Sequence, residues 1–337
     1  MKRHGDLWEK VITYDNLYLA YRRARKGKST RRAVIKFEKD IEGNLLRLQK
    51  SLRDKTFTTS SYKTRTIYEP KQRDIYILPF YPDRIVQHAL LQILIPIWDK
   101  LMITDSYSCR VGKGMHVAST KCMRFVTKYE YCLKCDISKF YPSINHNILL
   151  KIINNKIKCK DTLWLLEDII RSFPGETNTP IGNYTSQWFG NLYMNELDTF
   201  IKQKGFKPYL RYCDDFVIFH DDKKVLHNLS VEINEFITTK LKLKFSKCSV
   251  FHTYQGVDFL GYRHFKGYLL LRKTTAKRVK KRLPILLKNF KKGKITQEQF
   301  DSSIASTKGW LKWANTYNLM REVKSYARFS KKHKQQK

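Results

Sequence analysis

Arg211-Tyr212-Cys213-Asp214-Asp215-Phe216-Val217-Ile218-Phe219 is the stretch on which the reading of this chain turns. Tyr212, Phe216, Val217, Ile218 and Phe219 favour strands, and two adjacent acids interrupt them. Acids are scarce here, with 30 Asp+Glu against 66 Lys+Arg. Neighbouring carboxylates in an apolar hairpin repel each other and lose hydration, which costs free energy unless a cation sits between them. A divalent metal ion is the simplest such cation. A third acid fits the same site. Tyr131-Cys132-Leu133-Lys134-Cys135 reads as a buried strand running into Asp136. Asp136 is too far upstream of Asp214 for a local loop site, but natural for a neighbouring strand of one sheet.

The 337 residues allow two or three sizeable subdomains and a real core. At 42% hydrophobic and 13% aromatic, the chain reads as folded rather than disordered. Its net charge of +36 calls for a polyanionic partner, nucleic acid before an anionic membrane surface. No 18-residue uncharged apolar run occurs, and Met1-Lys2-Arg3-His4-Gly5-Asp6 leads into no signal-peptide core. A soluble, cytoplasmic protein is the expectation. Seven cysteines at irregular spacing argue against a disulfide framework. Cys132-Leu133-Lys134-Cys135 has zinc-knuckle spacing but no second pair, so the cysteines read as buried strand residues.

Residues 1–60 read as helical and basic, with Arg22, Arg23, Arg25, Lys26, Lys28, Arg31 and Arg32 crowded together. Residues 62–80 alternate like strands. Asp83 reads as the cap of a helix whose stripe, Ile85, Val86, Ala89, Leu90, Ile93 and Leu94, runs up to Pro96. A second helix begins near Ser186, a third spans about 226–241, and strands fall near 243–251 and 257–270. From 274 the chain reads as basic helix with a break at Lys292-Gly293-Lys294. The order β, helix, β-hairpin, helix, β predicts an α+β fold with one antiparallel sheet backed by helices.

Three carboxylates at strand ends suit two Mg²⁺ ions about 4 Å apart, the arrangement that activates a 3′-hydroxyl and stabilises a leaving pyrophosphate. Tyr212-Cys213-Asp214-Asp215 resembles the Tyr-x-Asp-Asp box of the reverse transcriptases, and Asp136-Ile137-Ser138-Lys139-Phe140-Tyr141 resembles their first palm motif. The resemblance implies a right-hand polymerase fold. Its parts would be an N-terminal extension and fingers (1–103), a first palm segment (104–141), a fingers insertion (142–184), a second palm segment (185–265) and a helical thumb (266–337). It implies catalysis by Asp136, Asp214 and Asp215, metal binding by these acids with Ile137, and a steric gate at Tyr141. Lys71 and Arg73, in Pro70-Lys71-Gln72-Arg73, would grip the triphosphate, in keeping with the need for several fixed cations. Arg110, in a stretch like the fingers motif with a buried arginine, is expected among the substrate-binding residues. Leu260, Gly261 and Tyr262 look like the primer grip.

Ile181-Gly182-Asn183-Tyr184-Thr185-Ser186-Gln187 narrows the resemblance. Most bacterial relatives are expected to carry Gln-Gly at the start of this motif. The Ile-Gly-x-x-x-Ser-Gln form is similar to that of diversity-generating retroelements, and Leu17–Lys28 and Gly309–Leu319 resemble their ends. This implies bacterial or phage-encoded copying of a template-repeat RNA into adenine-mutagenised cDNA, with dNTPs as substrates and a small basic accessory protein oligomer as partner. Ile181, Gly182, Ser186 and Gln187 would border the nascent base pair. Replacing an amide by Ile181 removes hydrogen bonds beside the incoming nucleotide, which weakens geometry checking. Two alternatives stay open: a bacterial anti-phage reverse transcriptase, and a non-catalytic RNA-binding relative. Asp221 and Asp222 read as a solvated loop, His88 and His116 as packing or hydrogen-bonded residues, and Trp310 and Trp313 as core of the C-terminal helices.

Overall fold

The computed structural model describes residues 3–68 and 72–334, with side chains to residue 327. Lys71 lies outside the described residues. β1 (Lys63–Ile67) and β2 (Arg73–Ile77) form an antiparallel hairpin. The central sheet comprises β3 (Tyr131–Ile137), β4 (Tyr209–Tyr212), β5 (Asp215–His220) and β6 (Phe245–His252). It is antiparallel throughout, in the order β4-β5-β3-β6. A three-stranded meander follows, built from β7 (Val257–Phe259), β8 (Tyr262–Phe265) and β9 (Tyr268–Leu271).

Strand periodicity divides the central sheet into two faces. Leu133 and Cys135 of β3 join Phe216 and Ile218 of β5 in the main core, which includes helices Tyr184–Gln203 and Lys223–Thr239. Cys132, Val217 and Phe219 turn the other way, into a second core with helix Met115–Lys128 and β7. Both faces are therefore apolar, which is why β5 reads as an unbroken hydrophobic run. Lys134, Asp136 and Asp215 share the second face, where it opens into a cleft.

Four helices, Trp8–Ile12, Tyr14–Arg25, Arg32–Glu38 and Ile41–Arg53, form the N-terminal region around helix Ile85–Asp99. The last three, Lys273–Lys291, Gln297–Leu311 and Tyr317–Lys334, enclose a separate core of Leu283, Phe300, Ile304, Leu311, Leu319 and Val323. No described helix is long and apolar enough to cross a membrane.

Three local expectations are corrected. The helix beginning at Ile85 passes through Pro96 to Asp99. Trp98 is fully buried, 6.3 Å from the Phe189 ring, so packing outweighs the one backbone hydrogen bond that proline removes. Asp83 does not cap this helix. Its Oδ1 accepts from the Ser60 backbone N–H at 2.9 Å, tying the segment before β1 to the helix entry. Trp313 is exposed rather than core, and stacks on His116 at 4.1 Å.

Candidate active site

Asp136 and Asp215 stand opposite each other on the last rung of the β3/β5 ladder. Asp214 sits beside them in the two-residue turn joining β4 to β5, since Tyr212 pairs with Asp215 across it. Cys213, the first turn residue, has φ 55°, a left-handed conformation that a non-glycine side chain adopts at a cost. Burial pushes Asp214 up to about 6; Asp136 pushes it further, while Arg73 and Arg211 oppose the shift. Burial also pushes Asp215 up to about 7, with Lys134 opposing and the other two acids adding to the rise. Asp136 takes a 2.7 Å hydrogen bond from the Ser246 hydroxyl on β6.

A polar network behind the turn holds it in place. The Arg211 guanidinium, fully buried, donates from Nε and Nη2 to the two oxygens of Asp198 at 2.7 and 2.6 Å. Nη1 donates to the Cys213 carbonyl at 3.0 Å and to Asn191 Oδ1 at 3.2 Å, and Nη2 reaches Ser106 Oγ at 3.1 Å. The Tyr209 hydroxyl donates to Asp198 at 2.5 Å. Burial disfavours the charge on Arg211, but Asp198 more than restores it, and the net pKa shift is upward. The planar fork thus fixes the carbonyl of the strained residue and the strand leading into it. Cys213 Sγ meets Ser108 Oγ at 2.9 Å, so the variable position of the motif points into the scaffold.

In front of the acids lies a cleft of about 810 Å³, lined by Asp136, Asp215 and Asp258 together with Lys134, Lys247, Arg263, Arg272 and Lys273. Five cations around three acids suit a polyanion. A larger groove of about 910 Å³ runs along the C-terminal helices beside Lys277, Arg278, Lys281 and Arg282, away from the acids. The acid trio offers oxygen donors only, as a hard divalent cation prefers. Asp215 Oδ1 is buried and accepts no hydrogen bond, although the Lys134 ammonium stands 3.4 Å away as an ion-pair partner. Among the described residues no three ligating side chains already converge into a cage. The donor chemistry therefore fits a metal ion, and the arrangement still has to draw together around one.

The other residues of the site divide into three groups, two expected and one not. Arg73 opens β2 and its charge reaches Asp214. Tyr141 lies over Gly190, its hydroxyl 3.8 Å from Cys213 Sγ; burial, then Cys213, raises its pKa. The Ile181-Gly182 loop docks onto β2, where the Ile181 carbonyl accepts from Tyr76 N–H at 2.7 Å. Gly182 has φ 127°, and a Cβ there would meet the Tyr76 carbonyl at 2.2 Å, so only glycine fits. Ser186 closes this loop through a 2.8 Å bond from its hydroxyl to the Pro180 carbonyl, and Gln187 is exposed.

The second group departs from expectation. Arg110 is turned inward, bonding Asp99 Oδ1 at 2.6 Å and the carbonyls of Ile103, Ser106 and Asp99. It staples the helix end to the following loop and is not free for a substrate. Leu260 and Tyr262 are buried, so only the backbone near Gly261 is open to a primer. The Ile137 side chain is buried and has no ligand atom, so any part it takes in holding an ion falls to its main-chain carbonyl. The third group is what the motifs did not reveal: Asp198, Asn191 and Ser106 around Arg211, and Lys134 between Asp215 and the Asp258 carbonyl. A signal existed, because Arg211 inside an apolar strand demands a buried acid, but its partner lies on another element.

Acids on adjacent strands of an antiparallel sheet, a helix-backed core behind them and a cationic cleft in front define a right-hand polymerase fold. The family model for reverse transcriptase (RNA-dependent DNA polymerase) matches residues 69–264. Protein YkfC of Escherichia coli (strain K12) is 26% identical over 253 residues, covering 59% of this chain and 66% of that protein. Group II intron-encoded protein LtrA of Lactococcus lactis subsp. cremoris is 24% identical over 328 residues, covering 74% of this chain and 54% of that protein. In fold, the chain is similar to apo telomerase from Candida tropicalis, with a TM-score of 0.51 at 11% identity, over 66% of this chain and 49% of the other. The chain belongs to the reverse transcriptase family. It spans between about half and two thirds of the length of the two curated relatives.

Proposed function

We propose that this chain is an RNA-directed DNA polymerase that extends a primer on an RNA template with dNTPs. The observation that carries this reading is the opposed pair Asp136–Asp215 with Asp214 at the adjoining turn, open to a cleft lined by five cations. Asp136, Asp214 and Asp215 would hold two Mg²⁺ ions, which when bound supply Lewis acidity to the reacting hydroxyl and phosphate. The chain's own residues do the rest. Arg73, with Lys71, neutralises and orients the triphosphate. Tyr141, wedged between Gly190 and the Cys213 turn, limits the space on the sugar side of the incoming nucleotide. The N-terminal helices and β1/β2 hairpin serve as fingers, the central sheet as palm and the last three helices as thumb.

We further read the chain as the mutagenic, retroelement type, which copies a template-repeat RNA with errors at adenines beside a small basic accessory protein. The Ile181–Gln187 loop supports this, because it places an aliphatic residue on the strand that carries Arg73. Primer extension on an RNA template with Mg²⁺, wild type against Asp214→Asn, tests the polymerase. Equal extension by both would refute it. Sequencing cDNA from wild type and Ile181→Gln tests the finer reading: adenine errors fall in the variant, and an unchanged spectrum excludes Ile181 from fidelity.

A further inference from the structure

Cys135 and Cys248 face each other across the β3/β6 ladder with their sulfurs 3.3 Å apart. Cys135 is fully buried, whereas Cys248 lies exposed on the edge strand. The pair sits one residue from Asp136. Ser246, two residues before Cys248, hydrogen-bonds both the carboxylate and the carbonyl of Asp136, at 2.7 and 3.1 Å. The β3/β6 register shifts between Asp136 and Ile137, so the ladder is already irregular beside the thiols.

A disulfide requires sulfurs about 2.05 Å apart and Cβ atoms about 3.5–4.5 Å apart. Directly opposed residues of an antiparallel pair hold their Cβ atoms about 4.5–5.5 Å apart. Closing this pair therefore draws two strands together and strains the bond, which makes it easily reduced. A thiol open to solvent, touching a second thiol sealed in the core, has one sulfur for an oxidant to reach and one to resolve the product.

We propose that Cys135 and Cys248 are a modification site for hydrogen peroxide, closing to a reversible cross-strand disulfide that displaces Asp136. The Cys248 sulfur attacks the peroxide O–O bond and becomes a sulfenic acid as one water leaves. The Cys135 sulfur then attacks the Cys248 sulfur, and the hydroxyl oxygen departs as a second water. Two thiols give up two electrons and two protons, and one peroxide takes them up. The strands move at the rung that Ser246 uses to orient Asp136. The effect on activity rests on the polymerase reading; formation of the disulfide does not.

The test exposes the full chain to hydrogen peroxide, alkylates the remaining thiols and digests with trypsin. Cleavage after Lys134 and Lys247 leaves each cysteine at the start of its own peptide. The expected product is the linked pair 135–139 and 248–263, lighter by two hydrogens, lost on dithiothreitol treatment and absent from Cys248→Ser. Separate alkylated peptides, or Cys248 carried on to the sulfonic acid with Cys135 untouched, would overturn the proposal. Primer extension should fall on the order of a hundredfold on oxidation, the scale of an ångström-sized misplacement, and return with dithiothreitol. Cys248→Ser should keep its extension in peroxide. Linked peptides with unchanged extension would overturn the displacement of Asp136. A reduced protein that never extends a primer counts against the polymerase reading, and the linked peptide still decides the thiol pair.

Discussion

Two hairpin turns in this molecule use one backbone device for opposite ends. Cys213 at the β4/β5 turn has φ 55°, and Leu260 at the β7/β8 turn has φ 57°. Both are non-glycine residues in the left-handed region. Behind the first turn stands a polar network, Arg211 with Asp198, Asn191 and Ser106, which fixes the Cys213 carbonyl and leaves Asp214 beside the cleft. Behind the second, aromatic and aliphatic packing dominates, joined by single hydrogen bonds. Leu260 is buried, a Cβ at Gly261 would come within 3.4 Å of the Trp310 ring, and the Tyr262 hydroxyl donates to the Trp310 carbonyl at 3.3 Å. A strained turn persists only where its surroundings over-determine it. Hydrogen bonds do so where charged groups stand at the cleft; packing does so where the turn joins the sheet to the C-terminal helices.

The sharpest way to break the comparison is at the acid of the first turn. Asp214→Asn removes one negative charge and should lower primer extension by about a thousandfold or more, with the melting temperature unchanged or raised. A stability loss with retained extension would mean the acid serves the fold. Next comes the network. Arg211→Met leaves Asp198 buried and unpaired, and should cost about 3–5 kcal/mol in chemical denaturation. Arg211→Lys should recover little of this, because an ammonium cannot span both Asp198 oxygens and the Cys213 carbonyl.

A pH series probes the second region. His264 on β8 is buried; its Nδ1–H donates to the Val257 carbonyl at 3.0 Å, and Nε2 accepts from the Ser119 hydroxyl at 2.8 Å. Burial pushes it down to about 4, so the folded state keeps it neutral while the unfolded chain binds a proton. Its contribution is complete above about pH 6.5 and is lost as pH falls toward 4, on the order of 3 kcal/mol. Asp214 and Asp215 act with the opposite sign. Their folded pKa values lie above the usual carboxylate value, so protonation stabilises the fold as pH falls from about 7. Denaturation of His264→Gln and Asp214→Asn across pH 4–7 separates the two; slopes identical to wild type would refute both assignments. The smallest expected effect is at Gly261. Its φ of 82° penalises any side chain, so Gly261→Ala should cost about 1 kcal/mol and weaken primer–template binding, read by titration of a labelled duplex.

The acids were legible because the surrounding strands are apolar on both faces, so a charge there needs a reason. The helices around Leu192 and Ile233 were legible from apolar spacing. Pro96 misled because tertiary packing of Trp98 outweighs a local rule. Asp83 misled because an acid before a helix caps it only when the backbone turns to meet the side chain, and here Ser60 takes the oxygen. Arg110 is an arginine in a fitting motif, yet its direction depends on Asp99 and three carbonyls of a loop whose path no local pattern records.

The amino-acid order alone determined which residues carry charge in an apolar setting, and from that the sheet, the acid trio and the demand for a cationic partner. Tertiary structure decided which groups meet: Asp136 with Asp215, Arg211 with Asp198, Lys134 with Asp215, Cys135 with Cys248. Burial cost and periodicity are local properties that a sequence displays directly. Pairing across strands depends on register, and a shift of one residue would turn each strand residue among them to the opposite face.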